Sequence, residues 1–442
     1  MPVSPSRAAA FQILLRVENE RAFAAELLHS SRYAKLSKAD HALITEIVMG
    51  VLRWQAWLDQ QISKSCDRRL DKLDLEVLIA LRMATYQITF LERVPARAAV
   101  YESVELVKQS GKRSAAAFVN ALLRRLTAQS LAVRPSDAAS TIDRLAANFA
   151  HPRWLVERWA REFGLDAAGQ ICIYDQHAPA TAIRICADEA EQELARERVI
   201  LTAGRLLTSA RRVESGDVIH PRSIKQGKIA IQDEASQLVA LLAGNGTNIL
   251  DCCAAPGGKT RVLAERNPEA KIIAMEVHPH RARLLRRMVA QRNVSVIAGD
   301  IMKSPLGSAF DRVLADVPCS GTGTLARNPE IKWRLTPEDL SELHARQIKI
   351  LTAAMQHVAA GGKIVYSTCS LETEENSAVV EEALAANLSF HLCECQAELE
   401  GLRARGELAS PDIESLLSGP YLRTLPGVHP SDGFFAAILK RG

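Results

Sequence analysis

The sequence has no apolar run long enough to cross a bilayer, which takes about 20 consecutive apolar residues. Its first apolar stretch, AAAFQILL, is short, and Arg16, Glu18 and Glu20 follow it at once. We therefore expect an amphipathic helix there rather than a signal peptide. The protein is predicted to be cytoplasmic and to have no contact with a membrane.

The nine cysteines of this 442-residue chain include no C-x-x-C pair, and the C-x-C at residues 393–395 has no second pair of ligands. Their number is odd, which fits reduced thiols better than a disulfide framework. We expect neither a disulfide nor a metal site.

Positive charge is concentrated in two parts of a chain whose net charge is only +4. Residues 1–130 carry 19 Lys and Arg against 13 Asp and Glu. A second basic stretch at residues 205–228 contains Arg205, Arg211, Arg212, Arg222, Lys225 and Lys228. Such stretches predict a polyanionic partner, and a solvated basic face is the alternative interpretation.

The hydrophobic pattern predicts a multi-domain chain. Residues 1–132 show helical spacing in successive segments, which predicts an all-α domain. Residues 140–230, after a polar linker at 132–144, mix a helix with short strands and predict a small α/β domain. In residues 231–442 strands alternate with helices, which predicts a Rossmann-like α/β domain with a mostly parallel sheet.

Two cysteines follow predicted strands of this last domain, Cys319 in ADVPCSGTG and Cys369 in YSTCSLETEEN. Ligands bind beyond the C-terminal ends of parallel strands, so both thiols should lie near one crevice. A thiolate that adds to carbon 6 of cytosine would make carbon 5 able to accept a methyl group. Asp316 would protonate ring nitrogen 3, and the second thiol would assist release. Free cysteines are more often small buried apolar residues, which is the alternative.

A glycine turn follows the first predicted strand of this domain, DCCAAPGGKT at residues 251–260. It matches neither G-x-G-x-x-G nor the P-loop pattern. Glu276, Asp300 and Asp316 close the next three strands, and an acidic residue at such a position suits ribose hydroxyls. Carboxylates without a phosphate site indicate a nucleoside that lacks phosphates, such as S-adenosylmethionine (SAM).

Together these motifs resemble those of the RNA cytosine-C5 methyltransferases, and more narrowly the bacterial small-subunit (16S) rRNA branch of the Fmu/Sun type. The resemblance covers nearly the whole chain. FVNALLRRL at residues 118–126 is similar to NusB-type RNA-binding domains, and D-x-P-C-S-G-x-G together with T-C-S is highly specific. The resemblance implies SAM as cofactor and small-subunit rRNA as partner, held by the helical domain and residues 205–228. We expect a monomer.

The resemblance also implies a role for each motif residue. Cys369 would be the nucleophile, Cys319 would promote product release, and Asp316 would contact the cytosine ring. Glu276 stands where this family often has Asp, and both can accept bonds from ribose hydroxyls. The SAM site would consist of Cys253, Ala254, Ala255, Pro256, Gly257, Gly258, Lys259, Glu276, Asp300 and Asp316.

Three rival interpretations remain open on the sequence alone. In a DNA cytosine methyltransferase arrangement, Cys319 would attack and Cys369 would be dispensable. An RNA-binding factor with a decayed catalytic fold would need neither thiol. Methyl transfer to an exocyclic amine would also need no thiol, but it usually places aromatic residues after the Asp-Pro, where this chain has VPCS. The sequence does not identify the target cytosine or tell naked RNA from a pre-ribosomal particle.

Overall fold

The chain folds into helices and strands. Their bounds come from a computed structural model, which describes residues 3–33, 35–129, 141–218, 222–307 and 309–442. Most of the predicted linker at 132–144 lies outside these ranges. The α-helices over the described residues are α1 (Pro5–Glu20), α2 (Ala24–Leu28), α3 (Lys38–Ser65), α4 (Leu75–Phe90), α5 (Ala96–Gln109), α6 (Ala116–Ala128), α7 (Ile142–Asn148), α8 (Arg153–Phe163), α9 (Leu165–Asp175), α10 (Ala190–Arg196), α11 (Arg222–Lys225), α12 (Glu234–Leu241), α13 (Gly258–Arg266), α14 (Pro279–Met288), α15 (Ile331–Arg334), α16 (Pro337–Met355), α17 (Ser377–Ala386) and α18 (Cys395–Ala404).

The strands over the same residues are β1 (Thr181–Ile185), β2 (Ile200–Ala203), β3 (Ala210–Ser215), β4 (Ile229–Ile231), β5 (Asn248–Asp251), β6 (Lys271–Glu276), β7 (Val294–Ala298), β8 (Phe310–Asp316), β9 (Val358–Thr368), β10 (Phe390–Cys393), β11 (Leu417–Ser418), β12 (Tyr421–Thr424) and β13 (Phe434–Arg441). No helix in the described ranges has both the length and the apolar character of a membrane span.

The first of two compact units comprises residues 1–178 and 325–334 and is helical. Its helix α3 begins after Ser37, whose side chain accepts a hydrogen bond from the backbone N–H of Asp40 and so caps the helix. Helix α4 is buried at every position from Ile79 to Gln87, which is expected of a central helix that other helices surround. The predicted all-α N-terminal domain is confirmed.

The segment 325–334 belongs to the first unit, although the chain on either side of it belongs to the second. The side chain of Lys332 donates to the carbonyl of Arg53 at 3.0 Å, and the indole of Trp333 donates to Leu52 O at 2.6 Å. The guanidinium of Arg53 in turn donates to Ala326 O at 2.9 Å. This interleaving of the chain was not predicted from the sequence.

The second unit, residues 179–324 and 335–442, contains a nine-stranded sheet with the order β11-β12-β13-β9-β8-β5-β6-β7, in which β10 also pairs with β13. Strands β7, β6, β5, β8 and β9 run parallel to one another, as predicted for a methyltransferase-type α/β fold. Strands β10 to β13 extend it with antiparallel pairs, so the sheet is mixed.

The same unit contains an antiparallel sheet with the order β2-β3-β1-β4. Ile183, Leu194 and Ile229 form part of its small core. This matches the mixed α/β character that the sequence indicates for residues 140–230, while the boundaries 1–132, 140–230 and 231–442 stay a prediction.

Several basic side chains of residues 205–228 already have partners within this unit. Arg211 pairs with Glu191 at 2.6 Å, and Lys228 pairs with Glu189 at 3.1 Å. Arg212 donates to Pro430 O at 2.9 Å. The side chains of Arg222 and Lys225 lie outside the described ones. This stretch therefore presents less free positive charge than its composition indicates.

Candidate active site

Two adjacent parallel strands bring the thiols of Cys319 and Cys369 together. Strand β8 ends at Asp316 and β9 ends at Thr368, and their register pairs Asp316 with Ser367. Each cysteine lies one to three residues beyond its strand, at the same edge of the sheet. The two Sγ atoms are 3.3 Å apart, and both thiols are free and half-buried.

The two sulfurs share a hydrogen bond in which either thiol can be the donor. The hydrogen bond with Cys369 and burial raise the pKa of Cys319 well above its usual value. The neutral S–H form of Cys319 is therefore favoured, so Cys319 can donate a hydrogen bond to the Cys369 sulfur. A thiol that donates to a neighbouring sulfur stabilises that sulfur as a thiolate.

Asp316 and Lys259 form an ion pair beside the thiols. Lys259 Nζ lies 2.8 Å from Oδ2 of Asp316, and the hydroxyl of Ser367 donates to Oδ1 at 2.8 Å. Burial opposes the charge on Lys259, but the Asp316 carboxylate and its hydrogen bond raise the pKa of Lys259 above its usual value. Both carboxyl oxygens of Asp316 are held by donors, which fixes the orientation of this side chain.

The glycine turn after β5 lines a cavity of about 140 Å³ next to this ion pair. Gly257 has φ 116°, a conformation that favours glycine, and it precedes the first turn of α13. A Cβ at Gly257 would lie 2.6 Å from Val289 and 2.8 Å from Leu285, so no larger residue fits. The predicted site residues that line the cavity are Cys253, Ala254, Ala255, Pro256, Gly258, Lys259 and Asp316.

Asp251 at the end of β5 also lines the cavity, and the sequence analysis did not single it out. Burial raises the pKa of Asp251 to about 7, although the hydrogen bond of 2.7 Å from the hydroxyl of Thr260 acts to lower this pKa. Among the described residues its Oδ1 has no hydrogen-bond partner, although it is buried. A buried acceptor without a partner is costly and marks a place where a ligand donor fits.

Glu276 and Asp300 lie at the ends of the next two strands, as predicted. Glu276 closes β6 and accepts a hydrogen bond from the N–H of His278 at 2.9 Å. Asp300 follows β7 and accepts from the N–H of Met302 at 3.0 Å. The apolar side chains of Val277 and Met302 beside them are 44% and 43% exposed, which the sequence analysis missed. Apolar side chains that stay exposed next to carboxylates at strand ends can pack against a nucleoside base.

A buried carboxylate that the sequence analysis also missed joins the two cysteine loops. Glu375 Oε1 accepts hydrogen bonds from the N–H of Ser320 at 2.8 Å and from Gln347 at 2.9 Å. Its Oε2 accepts from the hydroxyls of Ser320 and Ser370. Ser320 and Ser370 follow directly after Cys319 and Cys369, so Glu375 fixes the spacing of the thiols.

In the part of the chain that the structure describes, no group of three or more His, Cys, Asp or Glu side chains is arranged to hold a metal ion. Cys253 lines the cavity and Cys252 packs in the core of the sheet. Burial raises the pKa of both thiols, which disfavours their nucleophilic form.

Comparisons with known proteins agree with this geometry. A family model described as 16S rRNA methyltransferase RsmB/F matches residues 238–440, and the NusB family matches residues 4–128. The chain is similar to a probable ribosomal RNA small subunit methyltransferase B of Bacillus subtilis, with 31% identity over 98% of both chains. A counterpart in Synechocystis is 32% identical over 92% of both.

Among solved structures, the crystal structure of PH0851 matches the whole of both chains with a TM-score of 0.81 and 23% identity. At this identity the likeness shows the fold alone.

Proposed function

Because this chain belongs to the RsmB/F family of 16S rRNA methyltransferases, whose methyl donor is SAM, we propose that it methylates carbon 5 of a cytosine in small-subunit rRNA through a covalent cysteine adduct. The observation that carries the proposal is the 3.3 Å approach of the Cys319 and Cys369 sulfurs at the ends of two parallel strands. A methyl transfer to an amine or a ribose would need no second thiol.

Cys369 is the nucleophile in this proposal. The raised pKa of Cys319 disfavours its thiolate, which supports Cys369 as the attacking sulfur and Cys319 as the hydrogen-bond donor to it. A charge on Cys369 contributes to the raised pKa of Lys259. A thiolate at Cys369 and the ammonium of Lys259 would therefore stabilise each other. Attack on carbon 6 forms the carbon–sulfur bond and shifts electron density to carbon 5.

Asp316 exchanges a proton with ring nitrogen 3. It accepts hydrogen bonds from both Lys259 and Ser367, and the ammonium of Lys259 is the charged donor that can supply the proton that Asp316 passes to the ring. Protonation of nitrogen 3 neutralises the charge that develops when the thiolate adds. The same proton returns to Asp316 when the product ring becomes aromatic again.

Cys319 assists the release of the product. The proton on carbon 5 passes to water, the bond between carbon 6 and Cys369 breaks, and its electron pair returns to sulfur. The S–H of Cys319 then donates a hydrogen bond to the departing thiolate from the position it already occupies. The Cys319→Ala variant would lose this stabilisation and would release product slowly.

The glycine turn and the acidic strand ends fit SAM, which supplies the methyl group when bound. Cys253 to Lys259 would hold its amino acid part, and the buried Asp251 Oδ1 without a partner can accept from the ammonium of that part. Glu276 and Asp300 would accept from the ribose hydroxyls, and Val277 and Met302 would pack on the base. The cavity itself, about 140 Å³, takes only part of such a molecule.

We further propose that the protein is cytoplasmic and monomeric, and that the helical domain contacts the RNA backbone. Such contacts position an RNA without specifying its sequence. Extrusion of the target base costs a few kcal/mol. Aromatic content of 5% favours a folded rRNA element recognised by shape over extensive stacking.

The test is covalent trapping on rRNA fragments that carry 5-fluorocytosine, with SAM present and denaturing gels as the readout. Fluorine on carbon 5 cannot leave as a proton, so the wild-type protein should remain attached to the RNA. We expect Cys369→Ala to lose the band and Cys319→Ala to keep it. Cys186→Ala, which removes a free thiol outside the site, serves as the matched control.

The outcomes separate the rival assignments. On ordinary cytosine, Cys319→Ala should accumulate an adduct that the wild type resolves. Loss of the fluorocytosine band only in Cys319→Ala would assign the attack to Cys319, as in the DNA-type arrangement. If all four proteins bind the RNA but none gives a covalent protein–RNA band, the adduct is contradicted and a non-catalytic RNA-binding role is favoured.

A further inference from the structure

The helix α14 and the residues after it form a strongly basic surface in the catalytic unit. No acidic residue occurs between Glu276 and Asp300 in the sequence. The side chains of this arginine surface are Arg281, Arg283, Leu284, Arg286, Arg287, Met288 and Arg292, and all of them are exposed. This surface lies outside the two basic stretches noted in the sequence, residues 1–130 and 205–228.

Three of these arginines have no partner within the described protein. The side chains of Arg283, Arg287 and Arg292 make no hydrogen bond or ion pair with any described residue. By contrast, Arg281 donates to Ala255 O at 3.2 Å, and Arg286 donates to Val296 O at 3.2 Å. Unpaired like charges on one helix repel each other, and a bound anion would remove that repulsion.

Apolar side chains lie exposed between the arginines. Helix α14 buries Ala282 and Leu285, whereas Leu284 and Met288 are 45% and 57% exposed. A surface that combines free guanidinium groups with open aliphatic side chains suits an RNA strand, because phosphates bind guanidinium forks and sugars or bases cover the apolar groups.

The arginine surface is fixed to the glycine turn of the candidate cofactor site. The side chains of Val289 and Leu285 lie 2.6 and 2.8 Å from where a Cβ on Gly257 would be. The guanidinium of Arg281 donates to the carbonyl of Ala255 within the turn. Helix and turn belong to the same compact unit. A strand bound on α14 is therefore held at a defined position relative to the cofactor turn.

We propose that the arginine surface binds the phosphate backbone of the substrate RNA, with Arg283, Arg287 and Arg292 as the contacts. This inference rests on the proposed function, since it takes the substrate to be RNA. Contacts of this kind set affinity and register but not sequence. An acidic protein is the competing occupant of this surface, and RNA binding by variants of the three arginines distinguishes it from RNA.

The test compares the full-length wild type with the triple variant R283Q/R287Q/R292Q on an in vitro transcript of small-subunit rRNA. Each lost phosphate contact should make the plot of log K against log salt shallower by about 0.7 to 0.9, so the slope of the triple variant should be shallower by about 2.1 to 2.7. RNA affinity should fall about tenfold or more. The KM for RNA should rise with kcat unchanged at saturating RNA, because the lost contacts bind substrate and transition state equally.

The matched control is R196Q/R198Q/R403Q, which removes the same charge from exposed arginines elsewhere in the same unit. It should keep the wild-type slope. An equal loss of RNA affinity and slope in both variants would mean that only net charge matters. Unchanged RNA affinity and slope in the triple variant would favour a protein partner for this surface. Either result overturns the proposal. A wild type that binds RNA through this surface but methylates nothing would refute the proposed function alone.

Discussion

At the level of single residues, the spacing of the two thiols depends on one buried carboxylate. Glu375 is fully buried and accepts hydrogen bonds from Ser320, Ser370 and Gln347. The 3.3 Å distance between the two sulfurs allows little displacement of either thiol. A displacement of about 1 Å at a reacting group can lower a rate about a hundredfold. Glu375 is thus a positioning residue, because it touches neither reacting atom.

Glu375→Gln should slow adduct formation about tenfold or more, since an amide cannot accept from all of these donors at once. Its charge also contributes to the raised pKa of Cys319, after the larger effects of the Cys369 hydrogen bond and burial. The variant should therefore lower the pKa of Cys319 and shift the pH profile of its alkylation to lower pH. The measurements are trapping rates on fluorocytosine RNA and iodoacetamide labelling against pH.

Ser320→Ala is the control for this charge effect, because it removes one hydroxyl donor and keeps the carboxylate. It should leave the pH profile of Cys319 unshifted. A profile that moves equally in both variants would mean that the loop has only loosened.

The sequence was sufficient to predict the site residues that lie at the ends of strands. Cys319, Cys369 and Asp316 were predicted there because the carboxyl ends of parallel strands share one edge. Glu375 stands in the quoted YSTCSLETEEN, yet no pattern indicated its role. Its partners Ser320 and Gln347 are far away in the sequence and meet it only in the folded chain.

At the level of elements, two glycines join the cysteine loops to the last hairpin. The N–H of Gly323 donates to Cys369 O at 2.9 Å, and the N–H of Gly433 donates to Gly323 O at 2.8 Å. A Cβ at Gly323 would lie 2.3 Å from the carbonyl oxygen of Gly433. Backbone cannot move aside as a flexible side chain can, so this contact requires glycine.

Gly323→Ala should destabilise the protein by about 1–3 kcal/mol, as expected for an overpacked site. It should also reduce fluorocytosine trapping, because the Cys369 loop must shift. Gly307→Ala is the matched control, since a Cβ there meets nothing within 4 Å. Urea unfolding and trapping measured on both variants check the prediction, and equal behaviour of the two would contradict it.

The elements themselves were predictable to different degrees. Alternation of strand and helix predicted β5 to β9 and their parallel arrangement, because this periodicity is local. The antiparallel additions β10, β11 and β12 are only two to four residues long. Strands β10 and β12 take their place in the sheet by pairing with β13, and β11 takes its place by pairing with β12. Pairing of that kind leaves little local signal.

At the level of the whole molecule, the chain returns to its helical unit after the first cysteine loop. Arg334 donates to Val17 O at 2.6 Å and Ala22 O at 2.8 Å, and Glu330 accepts from the N–H of Ala24 at 2.8 Å. Only five residues separate Cys319 from the start of this segment at Leu325. The stability of the helical unit therefore includes a segment that the catalytic sequence supplies.

Lys332 within that segment should make the stability of the protein depend on pH. Burial lowers the pKa of Lys332 to about 7, with Asp175 and Cys172 acting against burial and Arg53 acting with it. In the unfolded chain the ordinary pKa of lysine is about 10.4. Between these values the unfolded state binds a proton that the folded state does not, so stability should rise with pH.

We expect the free energy of unfolding to increase by up to about 2 kcal/mol from pH 7 to pH 9 through this residue. Lys332→Met should remove that part of the rise, while the carbonyl of Arg53 keeps its bond from Gln176. Lys64→Met, at an exposed position of the same unit, should retain it. Urea unfolding of the three proteins at both pH values, under reducing conditions, measures the difference. Parallel pH dependence in all three would mean that Lys332 stays protonated in the fold, held by the Asp175 carboxylate.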